Sequence, residues 1–207
     1  MSRQSGRLWG LVMAEWMKSF LLEAQWRAAA AEPERRAELS REVLSRAERA
    51  IYYGVRVGWQ EWFAAAARLA AKHRVALGDL GGAERLLASL LTWLDRDSPD
   101  GIEETAATAC ALHTLGIQWS KPDITKAARK ILSSLPTNVC PIVKLLRVAA
   151  EAEAAHTARR WGQFARLEQT AAKYISELDP ADRWGVRAIF DYLRQSAARV
   201  EATHPTG

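Results

Sequence analysis

The residue types that most often carry out chemistry are sparse in this sequence, which holds four histidines and two cysteines among 207 residues. Cys110 and His113 are three residues apart, a spacing that places both side chains on one helical face as possible zinc ligands. Cys140 and His156 are isolated in the sequence, so no third or fourth ligand follows at a suitable spacing. We therefore expect no metal site, and we interpret the pair as a buried cysteine beside a partly exposed histidine.

Catalytic and nucleotide-binding patterns are also lacking. Nucleophilic catalysis needs a serine or cysteine with a histidine and an orienting acid, and no histidine lies in a recognisable signature of that kind. Glu103 and Glu104 are adjacent, so on a helix they point in different directions and make a poor acid–base pair. The glycines Gly78, Gly81 and Gly82 match neither the dinucleotide fingerprint nor a phosphate loop. We expect a protein that is not an enzyme and carries no cofactor.

The net charge of +5 is concentrated in one part of the chain. Basic and acidic residues balance in residues 1–120 and again in residues 151–207, so the whole surplus lies in residues 121–150. Its basic residues are Lys121, Lys126, Arg129, Lys130, Lys144 and Arg147, against the single acid Asp123. Helical spacing puts Lys126, Arg129 and Lys130 on one exposed face. The next helix adds Lys144 and Arg147.

Several cations without compensating acids are what a nucleic-acid backbone requires, because each phosphate contact releases a counterion. Arg159 and Arg160 are candidates to extend the same track. Only Trp119 lies nearby, which favours backbone contact over base stacking. An acidic protein surface suits the same residues equally well, and a solvated helix face needs no partner at all. The sequence leaves these alternatives open.

The chain contains nine tryptophans. Trp9 and Trp16 are seven residues apart and therefore share one face of the first helix. Most of the tryptophans are interpreted as large core plates among small alanines. A terminal helix has fewer neighbours to cover it, and tryptophan is a frequent interface hot spot. Trp9, Trp16 and Trp26 are therefore predicted to anchor a partner protein.

Strong helix formers dominate the composition, and alternating β-type runs are nearly absent. We predict an all-α fold of eight to nine helices, arranged as antiparallel helical hairpins in a bundle or short solenoid. Residues 1–57 are expected to form an N-terminal helical pair, residues 58–200 a hairpin array and residues 201–207 a disordered tail. Ser120 is predicted to cap a helix, Trp161-Gly162 to mark a break between helices, and residues 180–200 to form the last helix.

One segment resembles a known repeat family. Residues 71–99 contain Gly78-Asp79, then Ala83 and Leu87 one turn apart, then Pro99. This pattern is similar to a tetratricopeptide-type helical hairpin, and residues 160–180 resemble a second, degenerate one. The resemblance implies a helical repeat that binds other proteins. It brings no catalytic residue with it.

Two functions are compatible with these features. The first is a non-catalytic scaffold or adaptor that binds partner proteins within a larger assembly. The alternative is a helical small subunit of a nucleoprotein complex, such as a CRISPR effector, that contacts RNA or DNA backbone through residues 121–147. Charged residues interrupt every apolar stretch, so we expect neither a membrane span nor a signal peptide. We therefore expect a cytoplasmic location.

Overall fold

The computed structural model describes residues 3–136 and 141–177. These residues form eight α-helices and no strand, which confirms the predicted all-α fold. The helices are α1 (Arg3–Ala28), α2 (Pro33–Val57), α3 (Gln60–Ala76), α4 (Leu80–Trp93), α5 (Pro99–Gln118), α6 (Pro122–Ser134), α7 (Pro141–Thr157) and α8 (Trp161–Glu177). Cys140, the helix expected over residues 180–200 and the tail at 201–207 lie outside the described residues.

The chain divides into two compact units, Met1–Thr108 and Ala109–Gly207, and the division falls within α5. The first unit holds α1 to α4 and the first half of α5. Within it, α2 packs against both α1 and α3, and α3 packs against α4. The domain boundary expected after residue 57 stays a prediction.

Small side chains on α3 let its neighbours approach closely. Ala64, Ala67 and Ala70 are completely buried, and Phe63 packs with Leu90 of α4 in one apolar cluster. Alanine adds little bulk, so large residues from adjacent helices fill the remaining space at the density of a protein interior. The predicted alternation of large and small core residues therefore describes the first unit well.

Gly78 and Asp79 form the turn between α3 and α4. Gly78 adopts a φ of 82°, a left-handed conformation that glycine reaches without steric cost. Its N–H donates to the carbonyl of Val75, and the next N–H donates to that of Arg74. Asp79 then caps α4, because its side chain accepts a hydrogen bond of 2.8 Å from the N–H of Gly82.

In the second unit, α7 packs against α8 and α6 packs against α7. Leu145, Ala149 and Ala152 of α7 form an apolar cluster with Phe164 and Ala171 of α8. This cluster holds the α7–α8 hairpin together. The second unit thus presents the face of α6 that is turned away from α7.

The turn between α5 and α6 differs from the prediction. Ser120 does not cap α6; it has a φ of 53° and ends α5, with its N–H donating to the carbonyl of Ile117. Lys121 occupies the N-cap position, without a side-chain capping bond. The close packing of the two helices explains the sharp turn. A Cβ on Gly116 would lie 2.9 Å from the backbone nitrogen of Thr125, so only glycine fits there.

Candidate functional site

Three cations project from one side of α6. Lys126, Arg129 and Lys130 are exposed, whereas Ala128 and Leu132 on the opposite side are buried. The helical period accounts for this division, because positions three and four apart share a face. We call Lys126, Arg129 and Lys130 the α6 basic face. Its placement agrees with the spacing seen in the sequence.

The α6 basic face has two acids near it, Asp123 one turn earlier on α6 and Glu151 on α7. Among the described residues, no carboxylate forms an ion pair with Lys126, Arg129 or Lys130. In the first unit, by contrast, ion pairs occupy Arg27, Arg35, Arg46, Arg49, Arg68, Lys72 and Arg74. The positive potential at α6 is therefore available to a partner outside the chain.

Two grooves flank the α6 basic face within the second unit. One has a volume of about 640 Å³ and extends from the α5–α6 turn, at Ser120, to Thr157 at the end of α7. The other, of about 430 Å³, lies towards α7 and contains one acid, Glu151. Lys126 and Arg129 line both grooves. An extended anion lying in either groove would contact the same two cations.

Arg147 and Lys144 are less exposed than the α6 basic face. The guanidinium of Arg147 donates to the carbonyls of Leu132, Ser133 and Leu135, which close the C-terminal end of α6. A cation at this end also suits the helix dipole. Lys144 is half-buried. Arg147 thus has a structural role in holding α6 on α7, and its part in binding stays a prediction, as does that of Lys144.

Arg159 and Arg160 lie in the turn between α7 and α8 and are exposed. Arg159 has a φ of 53°, and the N–H of Arg160 donates to the carbonyl of Ala155, which ends α7. The break expected at Trp161-Gly162 lies immediately before it, at residues 158–160, and α8 begins at Trp161. Lys121, the remaining predicted cation, is exposed at the start of α6 and lines the larger groove.

The three tryptophans predicted as partner anchors contact other residues of the first unit. Trp9 meets Trp59 edge to face with ring centroids 6.2 Å apart, and Trp16 meets Trp62 in the same way. The ring of Trp26 contacts His73 at 5.2 Å. Each indole is thus already engaged within the chain, and Trp9 is the most exposed of the three. Partner anchoring by these residues stays a prediction.

A buried polar cluster connects α1, α2 and α3. The Nε2–H of His73 donates to Glu23 at 2.6 Å, and the ring's Nδ1 lies 3.2 Å from the hydroxyl of Ser40. Lys72 and Arg27 bind the other carboxylate oxygen of Glu23. Burial alone would raise the pKa of Glu23, but the hydrogen bonds from His73, Lys72 and Arg27 outweigh it and lower the pKa to about 2.

The order of acid, histidine and serine in this cluster matches the groups of a hydrolytic triad. Its surroundings do not, because Ser40 is 1% exposed and His73 is fully buried. A substrate carbonyl has no route to the Ser40 hydroxyl. The cluster therefore stabilises the packing of three helices. Sequence reasoning missed it because Glu23, Ser40 and His73 are far apart along the chain.

His113 forms a second buried polar contact, within the second unit. Its Nδ1 lies 3.3 Å from Glu153 of α7, and the hydroxyl of Thr114 donates to the same oxygen at 2.8 Å. The expectation of a partly exposed His113 is wrong, since the side chain is fully buried, and Cys110 is half-buried. In the described part of the chain, no three His, Cys, Asp or Glu residues come together as a possible metal site.

None of the helices in the described ranges combines the length and apolar character needed to cross a bilayer. No family model, curated protein or solved structure matches the chain. The function of the α6 basic face therefore has to follow from its own residues.

Proposed function

We propose that this chain is a non-catalytic helical scaffold or adaptor subunit of a larger assembly, which docks an acidic surface of a partner protein on the α6 basic face. The observation that carries the proposal is the uncompensated charge of Lys126, Arg129 and Lys130. Folding gains nothing from clustering like charges on one exposed face, whereas an acidic partner relieves their repulsion.

The structural roles of the other polar groups support a binding function over a catalytic one. The acid–histidine–serine cluster at Glu23 is closed to substrate, and the contact between His113 and Glu153 lies inside the second unit. Apart from Glu151, the polar side chains that line the grooves are cations and hydroxyls. Such groups bind anions without the paired acid and base that proton transfer requires.

A nucleic-acid backbone is the second candidate partner, in the manner of a small subunit of a nucleoprotein complex. The specific observation in its favour is that Lys126 and Arg129 line grooves on both sides of α6. A strand lying in either groove would present successive phosphates to these cations. Arg159 and Arg160, exposed at the α7–α8 turn, are the candidates for extending that contact.

The two partners differ in how their binding responds to probe and salt. We would measure the affinity of the full chain for single-stranded RNA, duplex DNA and polyglutamate by fluorescence anisotropy. Between about 50 and 200 mM salt, three phosphate contacts predict a loss of roughly 40-fold in affinity for duplex DNA and roughly 20-fold for single-stranded RNA. Tight binding to polyglutamate with weak binding to both nucleic acids would favour the acidic protein.

The test variant is Lys126→Glu/Arg129→Glu/Lys130→Glu. Its matched control, Arg41→Glu/Arg85→Glu/Lys173→Glu, changes the net charge equally at exposed positions outside the α6 basic face. We expect the test variant to lose salt-sensitive binding and the control to keep most of it. Equal losses in both variants, or no binding of any polyanion by the wild type, would contradict the proposal.

A further inference from the structure

The outward side of α1 is apolar along most of its length. Exposed Arg7, Lys18 and Gln25 lie along one edge of this side. Its apolar residues are the eight at Gly6, Gly10, Met13, Ala14, Met17, Phe20, Leu21 and Ala24. Met17 and Phe20 are each 52% exposed and Leu21 is 60% exposed. The inward side of the same helix buries Glu15, Ser19 and Glu23. The usual arrangement of a surface helix is thus reversed, with carboxylates against the protein and apolar side chains towards solvent. We call the eight listed residues the α1 outer face.

The spacing on the α1 outer face suits a second helix. Gly6, Gly10, Met13, Met17, Phe20 and Ala24 follow alternating steps of four and three residues. This is the heptad period of a helix that packs along another helix with knobs in holes. Ala14 and Leu21 flank the seam. No described helix of the first unit packs along this seam, because the buried residues of α1 lie on its opposite side.

The two glycines of the seam serve no contact inside the chain. A Cβ added to Gly6 or Gly10 would meet no atom within 4 Å. Each glycine costs a helix roughly 1 kcal/mol relative to alanine. Small residues at such positions let a second helix backbone come close. The glycines therefore indicate a contact that the isolated chain does not contain.

We propose that the α1 outer face docks a second copy of this chain, with the two α1 helices antiparallel. The face is small in its first half, at Gly6 and Gly10, and bulky in its second half, at Met17, Phe20 and Leu21. Antiparallel pairing about a two-fold axis at the level of position 15 along the helix places Phe20 of one copy beside Gly10 of the other. Both halves of the surface are then complementary, as an isologous interface requires.

Charge and area agree with this occupant. Antiparallel pairing places the edge residues Arg7 and Lys18 of one copy at the levels of Glu23 and Val12 of the other, so neither cation directly opposes a like charge. Its exposed part amounts to roughly 500 Å² per copy, or about 1,000 Å² in a dimer, which is the lower limit for a specific interface. A lipid surface is the poorer match, because membrane adsorption depends on buried apolar area, and Gly6 and Gly10 contribute little of it.

Sedimentation velocity and light scattering of the full chain test the proposal. We expect the wild type to be mostly dimeric at about 100 µM, where an interface of micromolar Kd is largely occupied. Met17→Glu/Leu21→Glu would raise the dimer Kd at least roughly tenfold, because unpaired charges would be buried at the contact. Ala88→Glu/Trp93→Glu is the matched control at exposed positions of α4, and it would leave the Kd unchanged.

The antiparallel register has its own test, which does not depend on added charge. Gly10→Leu fills the small half of the seam and would weaken the dimer, while circular dichroism would show the fold intact because the position is open. Adding Phe20→Ala to Gly10→Leu would restore part of the dimer affinity, because the large side chain then lies at position 10 and the small one at position 20. A monomeric wild type at about 100 µM, or dimers insensitive to both Gly10→Leu and the Glu variant, would overturn the proposal. So would a monomer that binds phosphatidylcholine vesicles through this face.

Discussion

Glu23 is a carboxylate that the first unit buries and keeps ionised. Its two oxygens contact His73, Lys72 and Arg27, and these contacts lower its pKa to about 2. Such a group links α1 to α3 only while it is charged, because its protonated form cannot accept all of these bonds. At the residue scale, the packing of α1 therefore depends on the protonation of one side chain.

Replacing Glu23 tests this dependence. We expect Glu23→Gln to lower the free energy of unfolding by about 3 kcal/mol, since it leaves His73 and its neighbouring cations without their anion. Urea unfolding followed by circular dichroism measures the change. Glu38→Gln is the control, because Glu38 pairs with Arg35 on the surface, where such pairs contribute at most about 1 kcal/mol. Equal effects at both positions would contradict the assigned role.

The same lowered pKa fixes the direction of a pH effect. An acid whose pKa is lower in the folded state stabilises the fold above its unfolded value, here 4.5. That contribution is lost as pH falls from about 4.5 towards 2. Wild-type stability would therefore decline more steeply over this range than that of Glu23→Gln. Parallel stability curves for the two proteins would show that Glu23 is not the responsible group.

Contacts between residues that are distant in the sequence were the hardest feature to predict. The helical period places Lys126, Arg129 and Lys130 on one face without any knowledge of the neighbours. No local pattern joins Glu23 to His73 or His113 to Glu153, because each pair is formed by helices that meet only in the folded chain. The inward position of Glu15 and Glu23 also runs against the rule that carboxylates face solvent.

At the scale of elements, α6 depends on α7 for the closure of its C-terminal end. The guanidinium of Arg147 binds three main-chain carbonyls there, and Pro136 follows directly. A hydrogen bond to a charged group contributes roughly 1.5 to 3 kcal/mol. Arg147 is thus a positioning residue for the α6 basic face, whether or not it also meets a partner.

Arg147→Met separates these roles. It keeps the length of the side chain but removes the donors, so we expect a loss of roughly 2 kcal/mol in unfolding free energy and faster amide exchange at the end of α6. Lys144→Met, a half-buried position on the same helix, removes the same charge and would change exchange in α6 little. Matching exchange rates in the two variants would argue against the positioning role.

The helices themselves were predictable, and their ends only where glycine or proline marks them. Pro33 and Pro141 begin helices, and Gly78 lies in the turn after α3, which are the positions that proline and glycine favour. Ser120 and Arg159 end helices in a left-handed conformation that neither residue favours. At Ser120 this conformation accompanies the close approach of Gly116 to Thr125, which no local sequence pattern indicates.

At the scale of the whole molecule, the two proposed surfaces belong to different compact units. The α1 outer face lies in Met1–Thr108 and the α6 basic face in Ala109–Gly207. The net charge of +5 on 207 residues does not distinguish these units by itself. Its distribution does, because the whole surplus lies in residues 121–150 of the second unit. One unit neutralises many of its cations internally, and the other exposes Lys126, Arg129 and Lys130 without an ion pair to any described carboxylate. Self-association and anion binding are therefore expected to respond to separate substitutions.

Their combination has a consequence if the polyanion is a nucleic acid. A dimer carries two α6 basic faces, and a long flexible strand can reach both, so the second contact becomes intramolecular. We expect the wild type to bind long single-stranded RNA at least roughly tenfold more tightly than Met17→Glu/Leu21→Glu does. Anisotropy with an oligonucleotide that fills one site should give equal affinities for the two proteins. A loss of the same size on both lengths would mean that the substitutions damage the binding site itself, whereas a loss confined to long RNA requires two linked copies of the chain.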